Sequence, residues 1–296
     1  ERHKSLKGNA PCACVIDELF DNSISSSLCK SQLNCSLLFN RRNMVNNVLP
    51  RLVTFDVTGT LLMTKLVEHY SKIGLQHGVK VSDSRELARS FKRNFVRLGK
   101  EHPIYGRHTG LGWENWWRQI VYSVFKDQDE GVSDETLEKV ANSLIECYGT
   151  SECWQKYPGV VEILDYLKSR GVVMGVISNF DERLESILAS TRIRPYFSFV
   201  LGSYTCGVEK PHPWIFEEAL KVTRKIHGMG VAPEEAMHIG DTLDNDYVGA
   251  KTARWNALLV NHHDDAIDES KVPTAHQFTS LSQLQAHFDN ALSRKE

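Results

Sequence analysis

The sequence predicts an α/β protein: a parallel sheet with helices on both faces, and an all-helical segment inserted after the first strand. Three observations carry this. Leu52, Val53 and Phe55 form a short apolar run of strand formers between Arg51 and Asp56. From Lys65 to about Trp154 apolar residues recur at spacings of three and four, with no convincing strand. After Pro158-Gly159 short apolar runs alternate with helical periods to the C-terminus, the pattern of a parallel sheet.

Taken in order, the first strand runs from Arg51 to Asp56, and Gly59 permits a tight turn after it. A weak helix covers Leu66 to His77 and stops at Gly78. Leu87, Phe91, Phe95 and Leu98 share a helical face, with Asp83 and Glu86 at capping-box spacing. The strongest helical signal is Trp113, Trp116, Trp117, Ile120, Val121, Val124 and Phe125. Ser133 reads as the N-cap of a fourth helix containing Leu137, Val140, Ala141, Leu144 and Ile145. The loop Tyr105 to Gly112 carries Arg107 and His108, which could reach a substrate, with a solvated loop as the default reading.

The remainder reads as a helix around Ile163, Leu164 and Leu167 closed by Gly171, then a strand from Val172 to Ile177 ending at Ser178-Asn179. Helix Asp181–Ser190, strand Phe197–Leu201 and helix Pro213–Val222 follow. Ala236–Ile239 is a strand ending at Gly240-Asp241, Asn245–Ala253 a helix, Ala257–Val260 the last core strand, and Leu281–Leu292 a final helix. The expected division is a leader over 1–48, a core over 49–64 and 155–296, and the helical insertion over 65–154.

With 296 residues there is material for a sizeable core, and 41% hydrophobic against 24% charged is an ordinary globular balance. A formal net charge of −2 gives no reason to expect a nucleic-acid surface, and no apolar run is long enough for a membrane helix. Seven irregularly spaced cysteines, with Cys147, Cys153 and Cys206 isolated, argue against a disulfide framework and for a reducing compartment, hence an intracellular protein of cytoplasm or nucleus. Residues 1–43 are rich in Ser and Asn and lack periodicity. They read as a disordered leader or an artefact ahead of a natural start near Met44.

The chemistry gathers where strands end. Asp56, Ser178-Asn179 and the stretch Gly240 to Asp246 each follow a strand, and in a parallel sheet all open at one edge. Ser178-Asn179 begins a helix, whose free N–H groups attract an anion. Asp56, Asp241 and Asp246 concentrate negative charge that must be neutralised. Oxygen donors favour Mg²⁺, and Lys210 is a further counter-charge. Taken singly, an Asp that caps a turn or a solvated Lys is the ordinary reading. The order of all four pieces makes chance improbable.

FDVTGT, SNFD, Lys210 in EKPHP, and GDTLDND together resemble the four motifs of the haloacid dehalogenase-like hydrolase superfamily, in its subgroup with a helical cap. The resemblance runs from about Leu49 to the C-terminus. It implies a Rossmann-like core in which Asp56 is the nucleophile and forms an aspartyl-phosphate. Asp56, Asp241 and the Thr58 carbonyl would hold Mg²⁺, with Asp246 holding a metal-bound water or orienting Lys210. Ser178 and Asn179 would bind phosphate, and Lys210 would offset charge on the nucleophile and the transferring group. The expected function is a Mg²⁺-dependent phosphomonoesterase acting, as a monomer, on a small phosphorylated metabolite. Two departures stand out. Thr58 occupies the place where phosphatases of this kind carry an acid-base Asp, which implies slow turnover, and Arg254 replaces a usual Gly. The alternatives are a non-catalytic phosphate-binding protein of the same fold and a 2-haloacid dehalogenase, the latter disfavoured by Asp241.

Overall fold

The computed structural model describes residues 49–263 and 270–293; the leader expected over residues 1–48 lies outside them. The first strand, β1 (Leu52–Phe55), is buried along its whole length. Alternate side chains serve opposite layers. Val53 and Phe55 join one core with Ile163, Leu164 and Leu167, while Leu52 joins another with Ile215, Phe216 and Trp255.

After β1 the chain makes a two-residue strand, β2 (Leu62–Met63), then four helices: α1 (Leu66–Gln76), α2 (Ser84–Glu101), α3 (Trp113–Gln128) and α4 (Asp134–Cys147). It returns through β3 (Gln155–Lys156), which pairs antiparallel with β2. The helices carry a core of their own, including Tyr70, Phe91, Trp116 and Phe125. The caps follow the sequence with one difference. Ser133 caps α4 as expected, accepting from the Thr136 N–H at 3.2 Å. Asp83 caps α2, but Glu86 turns to Arg89 instead of closing the box, and Gln128 of α3 accepts from the Asp83 N–H at 3.1 Å in its place. Cys147 and Cys153, isolated in the sequence, are free thiols with their sulfurs 2.6 Å apart where the chain leaves α4.

The remainder alternates: α5 (Val160–Ser169), β4 (Val173–Ser178), α6 (Leu184–Ser190), β5 (Phe199–Gly202), α7 (Ser203–Cys206), α8 (Pro213–His227), β6 (Ala236–Gly240), α9 (Gly249–Thr252), β7 (Asn256–Val260), β8 (Gln277–Phe278) and α10 (Leu281–Ser293). The sheet order is β5-β4-β1-β6-β7-β8, with every pairing parallel, which bears out the expected parallel α/β core. Four local readings change. α6 starts at Leu184 and not Asp181, because the Asp181 carboxylate accepts from the Arg183 N–H at 3.0 Å and holds the preceding residues in a turn. α8 continues to His227, where Gly228 takes a left-handed conformation. A π turn over Leu243–Val248 leads into α9. β8 extends the sheet beyond β7, and two residues are too short to show a period. Arg254 adopts φ 65°, the left-handed conformation for which Gly would be the easy choice.

Candidate active site

β1 delivers Asp56 to the carboxyl edge of the sheet, where its N–H donates to the Ile239 carbonyl at 2.9 Å and the residue is 7% exposed. Lys210, 2% exposed, places Nζ 2.6 Å from Asp56 Oδ1, 2.6 Å from Asp246 Oδ1 and 2.9 Å from the Ile177 carbonyl. All three ammonium protons are therefore used. Burial alone would favour the neutral amine, but Asp246 and Asp56 outweigh it and hold the Lys210 pKa above its usual value. Asn179 fixes the lysine's main chain, accepting from the Lys210 N–H at 2.8 Å and donating to its carbonyl at 2.9 Å. Ser178, at the end of β4, is buried beside Asp56.

Asp246 is bonded to Lys210 and to three further donors. Oδ1 accepts from Lys210 and from His238 Nε2 at 2.9 Å, and Oδ2 accepts from the Thr242 N–H at 2.9 Å and its hydroxyl at 2.6 Å. Four donors fill the carboxylate's acceptor positions. Of the two roles expected for Asp246, holding a metal-bound water and orienting Lys210, its hydrogen bond from the ammonium fits the second. Burial works against its charge, but Lys210 and the His238 hydrogen bond prevail and hold it well below the usual carboxylate range. His238 is kept neutral by burial, with its pKa lowered. Its Nδ1 lies 2.8 Å from Thr54 Oγ1, so the consistent tautomer carries the proton on Nε2 and accepts from Thr54. Gly240 makes this packing possible, since a Cβ there would stand 2.1 Å from Asp246 Cγ.

Asp241 lines the same cavity as Asp56 and lies close enough for their charges to interact. Its Oδ1 accepts from the Thr60 hydroxyl at 3.3 Å. Gly59, at φ 81°, brings the turn so close that a Cβ would sit 2.3 Å from Asp241 Oδ2. His262 fastens that turn with Nε2 3.0 Å from the Thr60 carbonyl. Burial raises Asp56 to about 6, opposed by Lys210 and reinforced by Asp246. Burial, then the charges of Asp56 and Asp246, push Asp241 well above its usual value. Lys210 is thus too little positive charge for three acids, and a cation between Asp56 and Asp241 would relieve the deficit. Among the described residues no group of three or more His, Cys, Asp or Glu side chains is disposed to hold a metal, and Asp246 is bonded to Lys210. Two carboxylates with a main-chain carbonyl still suit Mg²⁺, which commonly keeps several of its waters.

These groups line one end of a cavity of about 90 Å³ that continues among Tyr70, Phe91, Trp117 and Tyr148 of the helical unit. The two parts meet through polar contacts. The Tyr105 hydroxyl donates to the Asn179 carbonyl at 2.7 Å, Trp117 Nε1 to Asp181 Oδ2 at 2.7 Å, and Trp113 Nε1 to Glu182 at 3.1 Å. Arg183 grips Asp181 through two hydrogen bonds of 2.9 and 2.7 Å, with its guanidinium 5.0 and 5.2 Å from the ring centres of Trp113 and Trp117. Arg107 donates to the Tyr204 and Thr205 carbonyls. His108 Nε2 lies 2.9 Å from the Gly207 carbonyl, and His108 is not among the residues lining the cavity.

The family model for haloacid dehalogenase-like hydrolases matches residues 50–254. The chain belongs to the haloacid dehalogenase-like hydrolases. It is 39% identical over 219 residues to rhythmically expressed gene 2 protein of Drosophila melanogaster, covering 71% of this chain and 83% of that one. It is 34% identical over 247 residues to haloacid dehalogenase-like hydrolase domain-containing protein 3 of Bos taurus, covering 81% and 94%. Among solved structures, Bacillus subtilis YfnB, assigned as a HAD-hydrolase and bound to magnesium, shares the fold with a TM-score of 0.62 at 16% identity, over 82% of this chain and all of that one.

As a haloacid dehalogenase-like hydrolase, the chain brings Asp56, Thr58, Asn179, Lys210, Asp241 and Asp246 to one cavity, with Ser178 buried next to Asp56. Sequence reading missed His238 and Asp181. The signal for His238 was present: a histidine inside the apolar strand β6, beside Thr54 of β1, must have a partner. Asp181 belongs to SNFD, but its contacts come from Arg183 and from Trp117 of the helical unit. No helix of the described residues is long and apolar enough to cross a membrane.

Proposed function

We propose that this hydrolase is a Mg²⁺-dependent phosphomonoesterase of a small metabolite, working through an aspartyl-phosphate on Asp56, with residues 65–154 as a cap over a core made of 49–64 and 155–296. The observation that carries the reading is the buried Lys210 ammonium, 2.6 Å from both Asp56 and Asp246, beside an Asp241 whose charge it leaves uncompensated. Asp56, Asp241 and the Thr58 main-chain carbonyl would hold Mg²⁺. Bound there, the ion would neutralise the two acids and the phosphoryl oxygens.

An oxygen of the ionised Asp56 carboxylate bonds to phosphorus as the ester P–O bond breaks, and the electron pair departs on the ester oxygen. Water then attacks phosphorus, the P–O bond to Asp56 breaks, and the carboxylate is restored with loss of a proton to solvent. Asp246 and His238 keep Lys210 aimed at Asp56, where it offsets charge in both steps. Ser178 and the start of the loop at Asn179 supply donors to the phosphoryl group.

Thr58 lines the cavity where a general acid-base would serve, and its hydroxyl is too weak an acid for that. Thr58→Asp should therefore raise turnover about tenfold or more. Wild-type enzyme should hydrolyse aryl phosphates faster than alkyl phosphates and accumulate an acid-stable phosphoenzyme. Phosphate release from matched aryl and alkyl esters, with and without Mg²⁺, tests the reading. Turnover indifferent to Mg²⁺ and no trapped phosphoenzyme would sink it.

A second expectation concerns the metal itself. With Asp56 at about 6 and Asp241 raised, protons compete for the ion's place as the medium becomes acidic. The rise in melting temperature caused by Mg²⁺ should be larger at about pH 8 than at about pH 5, where the carboxylates are increasingly protonated. An equal rise at both, or none, would contradict binding between Asp56 and Asp241.

A further inference from the structure

Beyond the phosphoryl end, the cavity walls are mostly apolar, with the Thr64, Tyr70, Tyr105 and Tyr148 hydroxyls as isolated polar points. Phe91, Trp117, Tyr148 and Trp154 supply aromatic surface, and Leu66, Val121 and Leu144 supply aliphatic surface. The one charged side chain on this part of the lining, Arg183, is already neutralised by its two hydrogen bonds to Asp181. A sugar or amino-acid phosphate entering here would lose the hydration of several hydroxyl or charged groups and find few partners, at a cost well above that of an apolar group. Flat apolar groups suit such walls, because ring faces and edges pack favourably on one another.

Tyr70 adds a second feature. It is 3% exposed and packed against Phe91, Phe125 and Tyr148, and it lines the same cavity. None of the hydrogen bonds among the described residues uses its hydroxyl, which is not one of the fully enclosed, unsatisfied polar atoms and so opens on the cavity. Burial raises its pKa, so the phenol stays protonated and available as a donor. A donor that opens on the cavity can exchange water for an acceptor on a ligand, with the modest net gain typical of one hydrogen bond.

Resting on the phosphomonoesterase reading, we propose that the organic part of the substrate is uncharged, apolar and flat, of about one ring, and carries a hydrogen-bond acceptor such as a carbonyl or ether oxygen for the Tyr70 hydroxyl. An ester of an enol or phenol with this character would also leave without the acid that Thr58 cannot provide. Both ends of the cavity thus select the same class.

The test is equilibrium binding of phosphonates, which cannot turn over, to the full chain with Mg²⁺, read by calorimetry. Methylphosphonate probes the phosphoryl end alone, benzylphosphonate adds the ring, 4-acetylbenzylphosphonate adds the acceptor, and a sugar phosphonate is the polar control. The neutral ketone 4-methylacetophenone probes the apolar end alone. Benzylphosphonate should bind at least tenfold more tightly than methylphosphonate or the sugar phosphonate, and the acetyl group should add about threefold to tenfold. Tyr70→Phe should remove the acetyl increment and leave benzylphosphonate unchanged. Phosphonates that bind without regard to their organic part, or a sugar phosphonate that binds as well as the benzyl compound, would overturn the proposal while the phosphomonoesterase reading stands. Binding of the ketone, weakened by Tyr70→Phe, with no phosphonate binding would keep the apolar site and remove the phosphomonoesterase reading. No binding by any probe would remove both.

Discussion

Asp56→Asn should abolish turnover, lowering it by about four orders of magnitude or more, as removal of a nucleophile does elsewhere. The substitution keeps the shape of the side chain and leaves Lys210 its bonds to Asp246 and the Ile177 carbonyl. The variant should therefore remain folded, with an unchanged near-ultraviolet circular dichroism spectrum. An amide oxygen cannot form the phosphoenzyme, so acid quench should trap none. A folded variant retaining a hundredth or more of wild-type activity would show that the nucleophile is another group.

Lys210→Met should cost about 3–5 kcal/mol of stability, because it removes the cation from a buried charge cluster and leaves its partners uncompensated. The methionine fills much of the same space but offers nothing to Asp56 or Asp246, which lie 2.6 Å from the ammonium. The pH dependence follows from sign. In the wild type Lys210 holds Asp246 ionised with a depressed pKa, so that pair's contribution is present at neutral pH and fades as acid protonates Asp246. In the variant, protonation of the acids relieves their repulsion. The difference in denaturant midpoint between wild type and variant should then be large near neutrality and shrink toward about pH 4. A midpoint unchanged at neutral pH would mean that the lysine carries no such burden.

Much of the core was legible because burial writes itself into composition. β1, β4, β6 and β7 are buried runs, and the acids and hydroxyls that end them stand out against that background. Helices α1 to α4 show equally well, since each hides one face. What could not be read was pairwise. Asp246 shares a motif with Asp241, yet the π turn and Gly240 bring its carboxylate to His238 and the Thr242 hydroxyl, and no spacing rule gives those partners. The contact of Trp117 with Asp181 joins the helical unit to the core across a long sequence separation. β8 was missed for a simpler reason: two residues carry no period.

The placement of the helical unit also governs when this protein can come into being. Leu52 pairs with Val173 on one side and Ala236 on the other, so β1 has neither neighbour until most of the chain exists. The helical unit needs no such wait, because its core is drawn from one continuous stretch between Leu66 and Leu144. Local contacts close cheaply and quickly, and distant ones late. During synthesis from the N-terminus, the helices can condense while Asp56 is still on an unpaired strand. Asp56, Lys210, Asp241 and Asp246 can meet only once β6 and the turn after it have emerged. The reactive centre thus follows the helical unit in the order of assembly, and a nascent chain remains chemically silent until β6 has joined β1.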